Sequence, residues 1–476
     1  MNTSLRHVVV FSLLGLLAAP ATAATRLPSI FSDHMVLQRE QPLTFWGWDD
    51  PGTDVTIQVG PHRVSVKTGD DGKWLAMLPV MRDVGPHRLK VEGTTVVERE
   101  GILVGEVWLC SGQSNMEWRV KQSLNATEEI AAANYPQIHH IKIPHTTAEK
   151  PQADVPSEGW QICSPATVKE FTAVGYYFGR QLHKELNVPI GLIGSNWGGT
   201  RIEPWTCPAG FQRVSGLRDI ADRLDEYPTK LSDGRINHQS PMAIYNGMIH
   251  PLVPFALRGV IWYQGESNLS DGWLYHEKMK ALIAGWRDIW SNEMPFYFVQ
   301  LAPFRYKSSP ERLPEIWEAQ TATLSVPHTG MAVIVDVGDL EDIHPVNKQE
   351  VGRRLSLWAL AKTYGRGPGM VYAGPQYKSH HVHGKEFHLH FDHVGGGLVA
   401  RDGKALTHFE LAGSDGRFSG AVARIHGDEV IVSVDAIDDP QVVRFAWHQE
   451  AEPNLANQEG LPASPFRTDG PAHSQP

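Results

Sequence analysis

Five short apolar runs constrain this chain more than any other feature. They fall at residues 106–110, 190–193, 259–263, 296–299 and 331–335, with helical patterns between them. Each run is nearly continuous rather than alternating, as a strand must be when helices cover both of its faces. Between the first two runs, Thr167-x-x-Glu170 forms a capping box ahead of Phe171, Val174, Phe178 and Leu182, which share one helical face. Met279, Leu282, Ile283, Trp286 and Trp290 trace a second apolar stripe, and Val351, Leu355 and Trp358 a third over 347–364. Repeated βα units of this kind predict a parallel sheet with right-handed crossovers and helices on both faces, an α/β architecture.

The segments on either side of this unit carry a different period. From 24 to 103 the runs Leu43–Trp46, 55–59 and 63–66 alternate apolar and polar residues, separated by Asp50-Pro51-Gly52 and Asp70-Asp71-Gly72 turns. That pattern predicts an N-terminal β-sandwich. From 367 to 476 the alternation returns at Phe387, Leu389 and Phe391 and at Val430, Val432 and Val434, predicting a C-terminal β-rich domain. The Pro- and Ala-rich end from Glu450 reads as an arm or loop. The unit between, 104–366, holds the parallel sheet.

Residues 1–23 have a different character again. Arg6 and His7 precede an apolar run at 8–17, and Ala21-Thr22-Ala23 offers a small-x-small cleavage site. These are the three parts of a secretory signal peptide, and the apolar run is too short to cross a bilayer. The reading is therefore a secreted or periplasmic protein without a membrane span. Formal net charge is −10, so no broad cationic surface awaits a nucleic-acid backbone. Three cysteines, Cys110, Cys163 and Cys207, allow at most one disulfide and leave one thiol over.

In an open parallel sheet, ligands bind beyond the carboxyl ends of the strands. Four polar clusters follow the apolar runs there: Ser111-Gly112-Gln113-Ser114-Asn115-Met116, Gly194 through Arg201, Gln264-Gly265-Glu266-Ser267-Asn268, and Asp336 through Pro345. One supplies a serine, two supply glycines and amides, and the last supplies His344 among carboxylates. A serine hydroxyl needs a base to become a nucleophile, and a tetrahedral intermediate needs donors for its oxyanion. The set is a parts list for acyl transfer. It is not the Gly-x-Ser-x-Gly elbow, because Met116 stands where the second glycine belongs.

These blocks resemble the SGNH hydrolases, and more narrowly the sialate O-acetylesterase group of carbohydrate esterases. The resemblance rests on Gly112–Met116, on Trp262 through Asn268, and on Asp342-Ile343-His344-Pro345 with Lys348. It extends to Leu27–Glu40, Glu106-Val107-Trp108, Tyr245–Pro251 and Glu459–Pro462. It implies an SGNH-type, flavodoxin-like sheet and a serine carbohydrate esterase that works through an acetyl-enzyme without a cofactor. Ser114 would be the nucleophile and His344 the base. The oxyanion hole would use the amides of Ser114 and Gly198 (or Gly199) with the side chain of Gln264, Asn268 being its rival. Asp342 is the first choice for the acid, followed by Glu341, with Asp339 and Asp336 in the same loop and a Ser–His dyad as the remaining option. Asn115, Trp197, Arg201, Glu266 and Asn268 would bind substrate, Arg201 by meeting an acid group. Trp108, Trp262 and Tyr263 are further aromatics beside the motifs. The expected partner is an acetylated carbohydrate, either a sialate or an acetylated hemicellulose such as xylan or xyloglucan, with no obligate protein partner.

Two other function classes fit parts of the sequence. Glu266 with Glu203 or Glu341 could pair as the carboxylates of a glycoside hydrolase, and the β-rich units could serve a non-catalytic carbohydrate-binding protein. Six histidines between His380 and His393 invite a metal reading, but His388 and His390 fall on the polar face of a strand beside Asp392, and no His-Glu-x-x-His helix occurs. No metal site is expected. Asn125 and Asn268 head glycosylation acceptor triplets.

Overall fold

The computed structural model describes residues 24–367 and 369–470, so the signal segment 1–23 lies outside the described residues. One strand, Val96–Gly112, organises the molecule. Its first residues alternate in exposure and pair antiparallel with His87–Glu92. From Ile102 onward every residue is buried, and the same strand becomes the centre of a parallel sheet. Ile190–Asn196 lies on one side of it and Gly259–Tyr263 on the other. Named by first residue, the strands run Thr329, Phe296, Gly259, Val96, Ile190, Tyr135, Gln161, and only the last pairing is antiparallel. Four of the five expected strands match closely. The fifth, expected at 331–335, is Thr329–Ala332, and the chain leaves the sheet before Val335.

The helices Ala173–Leu186, Leu274–Trp290 and Lys348–Trp358 cover the sheet with the expected apolar stripes. The first begins later than its capping box implied. Thr172, not Thr167, is the N-cap, its hydroxyl accepting from the Gly175 amide at 3.2 Å. Thr167 instead braces a turn, donating to Ile162 O at 2.7 Å. An antiparallel pair, Leu43–Trp48 with Lys73–Leu78, faces strands Asp54–Val59, His62–Lys67 and His87–Glu92, giving the N-terminal sandwich. Its core residues, Phe45, Ile57 and Leu89 among them, join one continuous apolar cluster with the central sheet.

The C-terminal segment carries two four-stranded antiparallel sheets and a separate core around Phe387, Leu411, Val432 and Phe445. Residues 450–470 do not form an arm. Leu455–Asn457 and Phe466–Arg467 are strands, and Leu455, Leu461 and Phe466 are buried. Apolar side chains spaced among prolines pack into the C-terminal core, and polar ones reach the central α/β unit. Ser464 accepts from Gln300 Nε2 at 3.0 Å, and Arg467 makes a two-pronged ion pair with Glu318 at 2.9 Å. All three cysteines are free and buried.

Candidate active site

The turn after Val96–Gly112 depends on a glycine. Gly112 has φ +140°, and a Cβ there would sit 2.1 Å from Tyr263 O. This close approach lets Gln113 N donate to Tyr263 O and Trp197 N donate to Gly112 O, both at 3.0 Å. Three strand ends are thereby stitched together beneath Ser114, which starts the short helix Ser114–Glu117. The first amides of a helix have no partner within it, so the Ser114 amide is available to an anion.

The loop after Thr329–Ala332 brings His344 across the sheet edge. His344 Nε2 lies 2.9 Å from Ser114 Oγ, and His344 Nδ1 lies 3.2 Å from Asp342 Oδ1. The same Asp342 oxygen accepts the His344 backbone N–H at 2.9 Å. The other candidate acids are engaged elsewhere. Asp336 forms a two-pronged pair with Arg354, Glu341 pairs with Arg305, and Asp339 accepts from the Glu341 amide. Burial lowers the His344 pKa below the ordinary histidine value, and Asp342 partly opposes that shift.

Asn115 knots four segments together. Its amide donates to Glu266 Oε1 at 2.6 Å and to Ile343 O at 2.9 Å, and its carbonyl accepts from the Lys348 ammonium. Burial pushes the Lys348 pKa down to about 7 and raises that of Glu266, whose second oxygen has no partner. With Asn115 only 1% exposed, this knot fixes the backbone beside His344 rather than meeting a sugar.

Several residues expected to face substrate have other partners. Gln264 is fully buried, and its amide donates to Gln113 Oε1, Thr200 O and Asn268 Oδ1 at 2.8–3.2 Å. No hydrogen is left over for a ligand in this arrangement. Asn268 is also fully buried and donates to Glu203 and Asp271, which also removes it as an exposed glycosylation acceptor. Arg201 is held by Glu203, Asp271 and the Ser267 carbonyl, in a cluster that includes buried Lys278. Its guanidinium is already paired. Trp197 is half-buried, and its ring stacks on His145 at 4.4 Å and on His238 at 5.3 Å. Trp108, Trp262 and Tyr263 are core residues. Glu203 is kept ionised, its pKa near 2, by Lys278 and Arg201 against the effect of burial. It is therefore no acid for glycoside hydrolysis.

The Gly198 backbone lies beside the nucleophile turn, for a Cβ on Gly198 would be 3.3 Å from Ser114 Cβ. Its amide donates to Glu117 Oε2 at 2.7 Å, and His145 Nε2 lies 3.0 Å from the other carboxylate oxygen. Sequence reasoning missed Glu117, and it missed Trp118, whose ring stacks on His344 at 4.7 Å. Both lie one helical turn beyond Ser114, a spacing that places them on the nucleophile's side. With Ser114, Arg119, Lys121 and His344 they line a groove of about 520 Å³. Among the described residues, no group of three or more His, Cys, Asp or Glu side chains could hold a metal ion, and no helix is long and apolar enough to cross a membrane.

An open parallel α/β sheet with a serine, histidine and aspartate in line at its carboxyl edge has the architecture of a serine hydrolase. Residues 104–356 match the family model described as carbohydrate esterase, sialic acid-specific acetylesterase. A sialate O-acetylesterase of Pongo abelii is 34% identical over 391 residues, covering 74% of this chain and 73% of that protein. The Mus musculus protein of the same name is 30% identical over 425 residues, 77% of this chain and 78% of its own. A carbohydrate acetylesterase of Xanthomonas citri, known as a crystal structure, superposes with a TM-score of 0.86 at 39% identity, covering 94% of this chain and all of that one. The chain belongs to the sialic acid-specific acetylesterase family of carbohydrate esterases, and it is an esterase acting on carbohydrate O-acetyl groups.

Proposed function

We propose that Ser114, His344 and Asp342 carry out this hydrolysis through an acetyl-enzyme. The observation that carries the reading is the unbroken line from Ser114 Oγ to His344 Nε2 and from His344 Nδ1 to Asp342. Ser114 attacks the acetyl carbonyl as His344 takes its proton, and the imidazolium then protonates the departing sugar hydroxyl. Water, activated by His344, attacks the acetyl-Ser114 ester and releases acetate. The Ser114 amide is the first oxyanion donor. The Gly198 amide becomes the second once the Glu117 carboxylate turns away, since two anionic oxygens repel each other at one donor. Gln264 braces Gln113 beneath the nucleophile, and it reaches an oxyanion only by giving up one of its inward bonds.

We further propose O-acetylated sialic acid as the substrate, with acetylated xylan or xyloglucan as the competing class, and export directed by residues 1–23. The test is acetate release from p-nitrophenyl acetate and from all three acetylated sugars. Ser114→Ala is expected to lower kcat by about 10³-fold or more, as loss of a serine nucleophile does elsewhere. An esterase that keeps its activity without Ser114 would end this reading.

A further inference from the structure

The base of this site has weak support from its acid. Asp342 is 52% exposed, its 3.2 Å contact to His344 is long for a charge-assisted bond, and it shares that oxygen with a backbone amide. Water screens a carboxylate in such a position. Yet the imidazole must hold a full positive charge as Ser114 attacks.

The other support is aromatic. The Trp118 ring lies nearly parallel to the His344 ring, with centroids 4.7 Å apart and planes inclined by 15°. Its position is fixed from three directions. Trp118 Nε1 donates to Gln122 O at 2.9 Å, its backbone N–H donates to Ser114 O at 2.8 Å, and its carbonyl accepts from Ala173 N at 2.7 Å. An indole face is the best aromatic partner for a cation, and stacking also fixes the plane of the imidazole. We propose that Trp118 is a positioning residue acting through His344, holding the imidazole in line with Ser114 and stabilising the imidazolium. The proposal rests on the assignment of Ser114 and His344 made above.

The charged groups around this imidazole are few. Asp342 lies on its own loop, and Lys348, on the following helix, opposes its protonation and stands 5.8 Å from the Trp118 ring. Glu117, Arg119 and Lys121 line the same groove. Glu117 is turned to Gly198 and His145, and both cations are paired with Glu170. None of them offers the ring a face.

The experiment uses Trp118→Leu and Trp118→Phe in the full chain, with p-nitrophenyl acetate as a substrate that has no sugar. Leucine keeps an apolar cover over His344 while removing the π face and the Nε1 bond to Gln122, and phenylalanine restores the π face alone. Trp118→Leu is expected to lower kcat about three- to tenfold and to move the acid limb of kcat/KM down by about half a unit to one unit. Trp118→Phe should recover most of both effects. An unmoved or upward-shifted limb overturns the proposal. So does a KM increase confined to acetylated sugars, which would make Trp118 a platform for the sugar ring. If Trp118→Leu does not fold, the phenylalanine variant decides alone, a small downward shift supporting the proposal and no shift refuting it. Ser114→Ala measured alongside separates the two claims, because it stays inactive whether or not Trp118 acts through the histidine.

Discussion

At the scale of single residues, His344 sits between opposing influences. Burial removes water from its ring and disfavours the charged form, while Asp342 favours it, and the net shift is downward. A general base must be unprotonated in the free enzyme, so a lowered pKa extends activity toward acid. The acid limb of kcat/KM should have its midpoint below the ordinary histidine value of 6.5 and should disappear in His344→Ala. A midpoint above 6.5 in a pH–rate profile would contradict the burial seen here. The meeting of Ser114 with His344 was legible in the sequence because each lies in a short block at a predicted strand end. The roles of Arg201, Asn268 and Gln264 were not. A polar side chain near a motif looks available in the sequence, and only the fold reveals Glu203, Asp271 and Thr200 as partners that already use its hydrogens. Glu117 and Trp118 were missed for the converse reason: the block that drew attention stopped at Met116, just short of both.

At the scale of elements, the nucleophile turn is the most constrained. Gly112→Ala forces a side chain into φ +140° and against Tyr263 O, a strain plus a clash with backbone that cannot move aside. The variant should lose about 3 kcal/mol or more of unfolding free energy in urea titration and lose activity along with it. A variant of native stability would show that the three strand ends need not meet so closely. The strands were legible where both faces are buried, since a continuous apolar run is hard to mistake when helical patterns flank it. Helix starts were less so. Thr167 and Thr172 both look like caps, and the choice between them depends on Thr167 being drawn to Ser164 and Ile162, which are remote from the helix.

For the whole molecule, the distribution of the core decides what can be removed. The N-terminal sandwich and the central sheet share one apolar cluster, whereas the C-terminal sheets have their own. Even so, the last segment is not dispensable. Ending the chain after Glu450 would strip Leu455, Leu461 and Phe466 from their buried positions, a loss of about 6 kcal/mol at roughly 2 kcal/mol per large side chain. That is comparable to the whole stability of a typical domain. The truncated protein should aggregate or elute as an expanded species in gel filtration, and elution at the volume of the full chain would show these side chains to be dispensable. The sequence suggested a boundary near residue 103, yet Val96–Gly112 runs through it unbroken, because a strand can change partners along its length without a break in its pattern.

That shared strand also bears on how the molecule can change over generations. Lengthening a loop shifts nothing downstream, but side chains on a strand alternate faces, so one residue gained or lost turns all that follow inside out. Between Ile102 and Gly112 the deletion would swap which side chains face each helical layer and shift Ser114 by about 3.3 Å along the sheet. Descendants of this chain can therefore vary freely in their surface loops. The distance from the sandwich to the nucleophile must be inherited residue for residue.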